Sequence, residues 1–306
     1  MSFKITVPAK CILAGEHIIL QRGYALVTPF DRYTLTLCYR PDTIKTMYTI
    51  SGEGNSTFNI MLWPIISKSF ELLEKDASSL TGVFDIDSSI PPCGGLGFSA
   101  AICVAVTEWL IHEGLIPRSQ LFDFAVTLEN MFHGKSSGLD IAGVLATDTI
   151  QYFSNREIVA INKCWQPNLY ISSSGETSFT EPCVKKVRDM RKSDPIKANR
   201  IDDTMQTSAM LVKLALETEK PERLSLLANG LDLGNSCFYD WDLVSPKLHD
   251  HVTELKKHAL ACKIIGAGFG GHVVSLWENT PPENLPFELT LLFQDKIIQD
   301  VNSSTK

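Results

Sequence analysis

The sequence predicts a mixed α+β protein of two domains that share a cleft, and three observations carry the prediction. Its 306 residues are more than one hydrophobic core usually organises and are comfortable for two. Runs rich in Val, Ile, Thr and Tyr alternate with helical stretches without a regular strand–helix rhythm, so antiparallel pairing is expected rather than a parallel sheet. Two glycine-rich loops, at 91–97 and 266–271, each adjoin a periodic element, as loops that hold a ligand against a scaffold do.

The elements follow in order. ITVPAKCILAG, YALVTPF and RYTLTLCYR, within residues 5–40, read as strands. Apolar residues recur at helical spacing over Asn59–Lys75, and GVFDID at 82–87 reads as a strand. The Pro-Pro-Cys-Gly-Gly loop leads into a small-residue helix from Ser99 to about Ile111. A further helix spans Leu121–Phe132, a Gly/Ser turn covers His133–Gly138, and another helix starts near Leu139 ahead of the strand TIQYF. Pro167–Thr180 holds a strand and a polar loop. Pro182–Arg200 is charged and poor in apolar residues, which places a soft domain boundary near residue 165, dividing the chain into 1–165 and 166–306. Helices are expected at Asp202–Thr218, Pro221–Leu233 and Pro246–Leu260. Strands are expected at Lys263–Ile265, His272–Trp277 and Glu288–Phe293, before a polar tail at Val301–Lys306.

Composition narrows the function classes. Hydrophobic residues make up 44% and charged residues 21%, the balance of a water-soluble globular protein. No apolar run reaches a membrane span, and MSFKITVPAK has no apolar core of a signal peptide. The net charge of -7 argues against a nucleic-acid surface, which carries a basic excess. Eight cysteines without a CxxC pair read as reduced thiols of a cytoplasmic protein rather than as disulfides or a zinc site. The expectation is a cytoplasmic protein with no membrane or nucleic-acid partner; a homodimer stays open.

The loop Pro91-Pro92-Cys93-Gly94-Gly95-Leu96-Gly97-Phe98-Ser99-Ala100-Ala101 carries the first chemical signal. Its glycines let backbone N–H groups approach a ligand, and the following helix adds the positive end of its dipole, a combination suited to a polyphosphate. Ser99, in the first helical turn, is placed to reach a metal ion on those phosphates. A plain glycine-rich helix entry would look the same in isolation. No Gly-Lys-Ser/Thr of a Walker A loop follows, and the HRD and DFG elements of protein kinases are missing. Gly266-Ala267-Gly268-Phe269-Gly270-Gly271 satisfies G-x-G-x-x-G, but a dinucleotide-binding loop opens a helix, and His272–Trp277 is strand-like. A strand–loop–strand cradle fits better.

Between the loops lie Lys10 in an apolar run, Gly15-Glu16-His17, Glu129 and His133 four residues apart, and Asp140 at the end of His133-Gly134-Lys135-Ser136-Ser137-Gly138-Leu139. Each alone has an ordinary explanation: a solvated lysine, a helix-surface carboxylate, a helix-start carboxylate favoured by the dipole.

Together, and in this order from about Val7 to Leu276, these segments resemble the three-motif signature of the GHMP kinases. The central loop is similar to that family's P-x-x-x-G-L-G-S-S-A-A and the last to its G-A-G-x-G-G. Within the family, PAKCILAGEH and LENMFHGKSSGLD, similar to E-x-x-x-H-G-x-P-S-G-x-D, resemble the mevalonate-phosphorylating branch, and Ile18-Ile19-Leu20 stands where galactose-acting members have T-D-Y. The chain departs from the pattern at Phe98 (serine), Ser136 (proline), Ile265 (threonine) and His272 (cysteine).

The resemblance implies a two-domain α+β fold with a ferredoxin-like C-terminal half, and phosphorylation by Mg-ATP of a small alcohol. Mevalonate at its 5-hydroxyl is the expected substrate; phosphomevalonate, another family substrate and a catalytically silent ligand-binding role are the alternatives. It implies that Pro92, Cys93, Gly94, Gly95, Leu96, Gly97, Phe98, Ser99, Ala100, Gly266 and Gly268 bind ATP. Ser99 and Glu129 would hold Mg²⁺, Asp140 and Lys10 would be catalytic, and Glu16, His17 and Thr180 would bind the alcohol.

Overall fold

The computed structural model describes residues 2–42, 46–52 and 55–293. Its first sheet is built on two long strands, β1 (Phe3–Ala14) and β2 (Tyr24–Arg40), paired antiparallel along their length. β3 (Thr46–Gly52) runs parallel to β4 (Gly82–Ser88), which pairs with the Leu35–Arg40 end of β2. β5 (Ile150–Phe153) pairs with the Tyr24–Val27 end of β2, and β6 (Ile158–Ala160) flanks β5. The order is β3-β4-β2-β5-β6, with β1 on β2.

Where the sequence predicts two strands within 24–40 there is one. Pro29, which lacks an N–H to donate, keeps its place opposite Lys10. The irregularity comes after it, where Pro8 faces Thr34 but Ala9 faces Phe30, so residues 31–33 bulge. β1 changes character midway. Its first half alternates in burial, whereas Ala9–Ala14 is buried throughout because helices and the second half of the chain cover it on both sides. Lys10 therefore sits in a fully enclosed strand segment.

Four helices accompany this sheet: α1 (Asn55–Leu72), α2 (Phe98–His112), α3 (Leu121–His133) and α4 (Leu139–Leu145). α2 is apolar on nearly every side and is buried over Ala100–Leu110, as a helix enclosed by protein must be.

The second sheet is wholly antiparallel, β10-β7-β9-β8, from β7 (Leu169–Ser173), β8 (Ala261–Ile265), β9 (His272–Leu276) and β10 (Thr290–Leu291). Helices α5 (Thr180–Ser193), α6 (Pro195–Glu217), α7 (Arg223–Asp240) and α8 (Pro246–Leu255) belong to this half. The chain leaves the first sheet at Ala160 and joins the second at Leu169. The result is a two-domain α+β fold.

Several expectations need correction. The helix expected at Asp202–Thr218 starts earlier, at Pro195: α5 runs Thr180–Ser193, and the Asp194 carboxylate caps α6 by accepting from the Lys197 N–H at 3.0 Å, with Pro195 in the first turn. β10 is shorter than Glu288–Phe293, and β3 and β6 were not anticipated. The predicted polar tail at 301–306 lies outside the described residues. All eight cysteines are free. Among the described residues no helix is long and apolar enough to cross a membrane.

Candidate active site

Lys10 of β1 and Asp140 of α4 meet as an ion pair. The ammonium is 1% exposed and lies 2.9 Å from Asp140 Oδ1, and it also donates to the Gly95 carbonyl at 3.0 Å. The Lys10 N–H donates to the Leu96 carbonyl at 3.0 Å, which ties β1 to the first glycine loop. The loop must come this close. Gly97, at φ +83°, caps α2, and a Cβ there would stand 2.8 Å from Lys10 Cγ. Asp140 lies in the first turn of α4 and keeps a solvent-facing portion. A carboxylate held by a buried ammonium is thus fixed in direction.

Pro92, Cys93, Gly94, Gly95, Gly97, Phe98 and Ser99 line a cavity of about 370 Å³ that also reaches Asp140 and Thr180. Leu96 and Ala100 do not line it. They are fully buried behind the wall, where they hold the loop and α2 to the core. Phe98, in place of a serine, packs into that same core. The second glycine loop supports the first from behind. Gly266 touches Gly95 so closely that a Cβ on Gly266 would lie 2.8 Å from the Gly95 Cα. Gly268 is likewise a support rather than a wall; its carbonyl accepts a 2.6 Å bond from Ser178.

Gly95, Asp140 and Thr180 also line a second, smaller cavity of about 120 Å³. Glu16, His17, Glu129, Lys135 and Gly266 form other parts of its wall. The two compartments therefore meet at Asp140, one cradled by glycine-loop backbone and the other lined by polar side chains.

Glu129 comes from α3 and is 1% exposed. Ser136, the residue replacing the family's proline, donates its hydroxyl to Glu129 Oε2. Glu129 Oε1 is buried with no hydrogen-bond partner. Burial, and then the Asp140 charge, push the Glu129 carboxyl up to about 8. An orphaned carboxylate oxygen beside a second carboxylate is what a divalent cation would satisfy, so these residues fit Mg²⁺. No cluster of three or more His, Cys, Asp or Glu ligands forms among the described residues. The protein would supply only part of the coordination, as is usual for Mg²⁺ carried on phosphates.

Glu16 and His17 both enter the smaller compartment, but neither is a free side chain. Glu16 is paired with Lys263, which is 0% exposed, while its Oε2 is buried and unpartnered. Burial raises its pKa, and the Lys263 charge opposes that rise. His17 donates from Nε2 to the Ala267 carbonyl at 3.0 Å and stands edge-on to Trp241, 4.9 Å between centroids. Burial holds it down to about 4, so it is neutral. Thr180 starts α5 where both cavities open.

Three structural partners escaped the sequence reading. Ser178 links the two glycine loops: its N–H donates to the Cys93 carbonyl at 2.6 Å and its hydroxyl to Gly268. Lys263 pairs with Glu16 across the two sheets; a lysine inside the apolar strand ACKII was the available signal. His272, in place of a cysteine, donates from Nδ1 to the Gly94 carbonyl at 2.7 Å, and burial lowers its pKa.

Comparison with known proteins agrees with this arrangement. Residues 64–147, which contain the first glycine loop, Glu129 and Asp140, match the family "GHMP kinases N terminal domain". A mevalonate kinase of Archaeoglobus fulgidus is 24% identical over 280 residues, covering 91% of this chain and 93% of the relative. A mevalonate kinase of Arabidopsis thaliana is 23% identical over 372 residues, covering 99% and 95%. The crystal structure of L. major mevalonate kinase in complex with R-mevalonate superposes with a TM-score of 0.74 at 21% identity, over 91% of this chain and 88% of that one.

Proposed function

We propose that this chain is a kinase of the GHMP type, a reading supported by the match of residues 64–147 to that family's N-terminal domain, and that it transfers the γ-phosphoryl group of ATP to the 5-hydroxyl of mevalonate, giving 5-phosphomevalonate and ADP. The observation that carries the proposal is the pair of buried Lys10 and half-buried Asp140 at the junction of a glycine-loop cavity and a small polar cavity. Nucleotide in the first and alcohol in the second would meet at Asp140.

Phosphoryl transfer needs positioning and charge neutralisation more than covalent chemistry. Backbone N–H groups of the 94–99 loop and the N-terminus of α2 would receive the phosphates. Glu129 and Ser99 would hold Mg²⁺, which when bound supplies neutralising charge to the phosphate oxygens. Asp140 accepts the proton of the attacking hydroxyl at its carboxylate. Lys10 holds that carboxylate in place and faces the oxygen as negative charge develops on it. Glu16 Oε2, Thr180 and neutral His17 orient the alcohol. We place the domain division at residue 165 and the enzyme in the cytoplasm, with no nucleic-acid partner.

Phosphomevalonate is the second substrate to weigh, because Lys185, Lys186, Arg188, Arg191 and Lys192 form a basic run on α5. Lys185 is paired with Asp189, Lys186 with Asp242 and Arg191 with Asp202, and none of the five lines either cavity. That favours the unphosphorylated alcohol. Retention of both Lys10 and Asp140 weighs against a silent ligand-binding role.

Asp140→Asn tests the assignment. Turnover should fall by about 10²–10⁴-fold, the usual worth of a positioned base, while ATP binding measured by calorimetry persists. Near-wild-type turnover would remove Asp140 from the reaction.

A further inference from the structure

The smaller cavity offers an incoming anion little positive charge that is free to act. Glu16, Glu129 and Asp140 all reach it. Lys10 is committed to Asp140, Lys263 stands behind Glu16, and His17 is held neutral. An anionic substrate entering here meets carboxylates first, unless a cation at the wall is available to it. Lys135 is that cation. It lines the cavity, is exposed at its rim, and has no ion pair among the described residues.

Its placement follows from the local chain. α3 ends at His133, Gly134 turns with φ +70°, and the next residues are pinned. The Ser136 N–H donates to Asn130 Oδ1 at 2.7 Å, and the Ser136 hydroxyl bonds Glu129. The backbone of Lys135 is thereby anchored on its C-terminal side while its side chain stays free. The position is the variable one in the H-G-x-P-S-G motif that the segment resembles, so the family pattern does not dictate a cation there.

We propose that Lys135 is the specificity-determining residue of this site: its ammonium receives the carboxylate of a hydroxy-acid substrate whose primary hydroxyl lies at Asp140. This rests on the proposed reaction and deepens it, because it says why an anionic alcohol is accepted in a cavity lined by three carboxyl groups. At a concave rim with apolar walls from Ile12, Ile19 and Leu139 the pair is less screened than on an open surface.

The test compares kcat/KM for mevalonate and for 3-methylpentane-1,3,5-triol, which has the same skeleton with the carboxylate reduced to a neutral alcohol. In the wild type mevalonate is preferred. Lys135→Ala lowers the mevalonate-to-triol ratio by about tenfold, the worth of one charge-assisted hydrogen bond. Lys135→Arg restores most of the ratio and Lys135→Glu lowers it further. The loss falls on the KM for mevalonate and leaves the KM for ATP in place. Equal losses on both alcohols, or an unchanged ratio, overturn the inference while the kinase reading stands. A wild type that phosphorylates neither alcohol overturns the kinase reading and the inference with it.

Discussion

His17 occupies a left-handed backbone conformation, φ 63°, with its ring packed between aromatic residues and its Nε2–H spent on the Ala267 carbonyl. Its pKa of about 4 lies below the usual histidine value of 6.5. The unfolded chain therefore binds the extra proton first. The neutral His17 contributes its full stability above pH 6.5 and loses it as the pH falls from 6.5 to 4. A shift of this size corresponds to about 3 kcal/mol. Urea unfolding of the wild type against His17→Gln should show that difference narrowing across this window; a constant offset would mean that the buried imidazole titrates normally. The same scale shows what a sequence can and cannot disclose. Lys10, Glu129 and Asp140 were nameable because their residue types recur in a known order. The contacts of Ser178, Lys263 and His272 were not, because each meets its target 85 or more residues away in the chain and belongs to no ordered motif that names the pair.

At the scale of elements, the two glycine loops act as one device, the first lining a cavity and the second propping it. Gly266→Ala tests the prop. Its φ of +84° alone costs an alanine about 1–2 kcal/mol. The added Cβ would also collide with the Gly95 Cα at 2.8 Å, so the first loop must move. Gly114→Ala is the matched control, since it has φ +70° but nothing within 4 Å of a new Cβ. Gly266→Ala should lower Tm more than Gly114→Ala and raise the KM for ATP, which the control leaves alone. Equal behaviour of the two would show that the loops do not act together. The helix α2, both loops and strands β8 and β9 were legible from glycine and β-branched patterns. Helix α5 was legible only as a solvated helix under the basic run 185–192, without bounds, because it buries only Cys183 and Val187 and so hides the apolar period. Ser136 stands in the sequence only as a departure from proline, and the folded turn shows that its hydroxyl is used by Glu129.

On the scale of the whole molecule, the buried Glu16–Lys263 pair joins the end of β1 to β8 and so couples the two sheets. Breaking it from one side leaves a buried charge alone. Lys263→Met should cost about 3–5 kcal/mol of stability, and the double replacement Lys263→Met with Glu16→Leu should recover much of that. A cycle of urea unfolding measurements that finds the two single effects additive would show that the pair is not coupled. The larger claim concerns what the joined halves enclose: a nucleotide compartment and an alcohol compartment meeting at Asp140. Release of ADP by the purified protein with Mg-ATP, measured separately with mevalonate, phosphomevalonate, homoserine and galactose, tests it most directly. ADP formed with mevalonate, and lost in Asp140→Asn, is the predicted result; no ADP with mevalonate, or turnover of one of the other alcohols in its place, would contradict it.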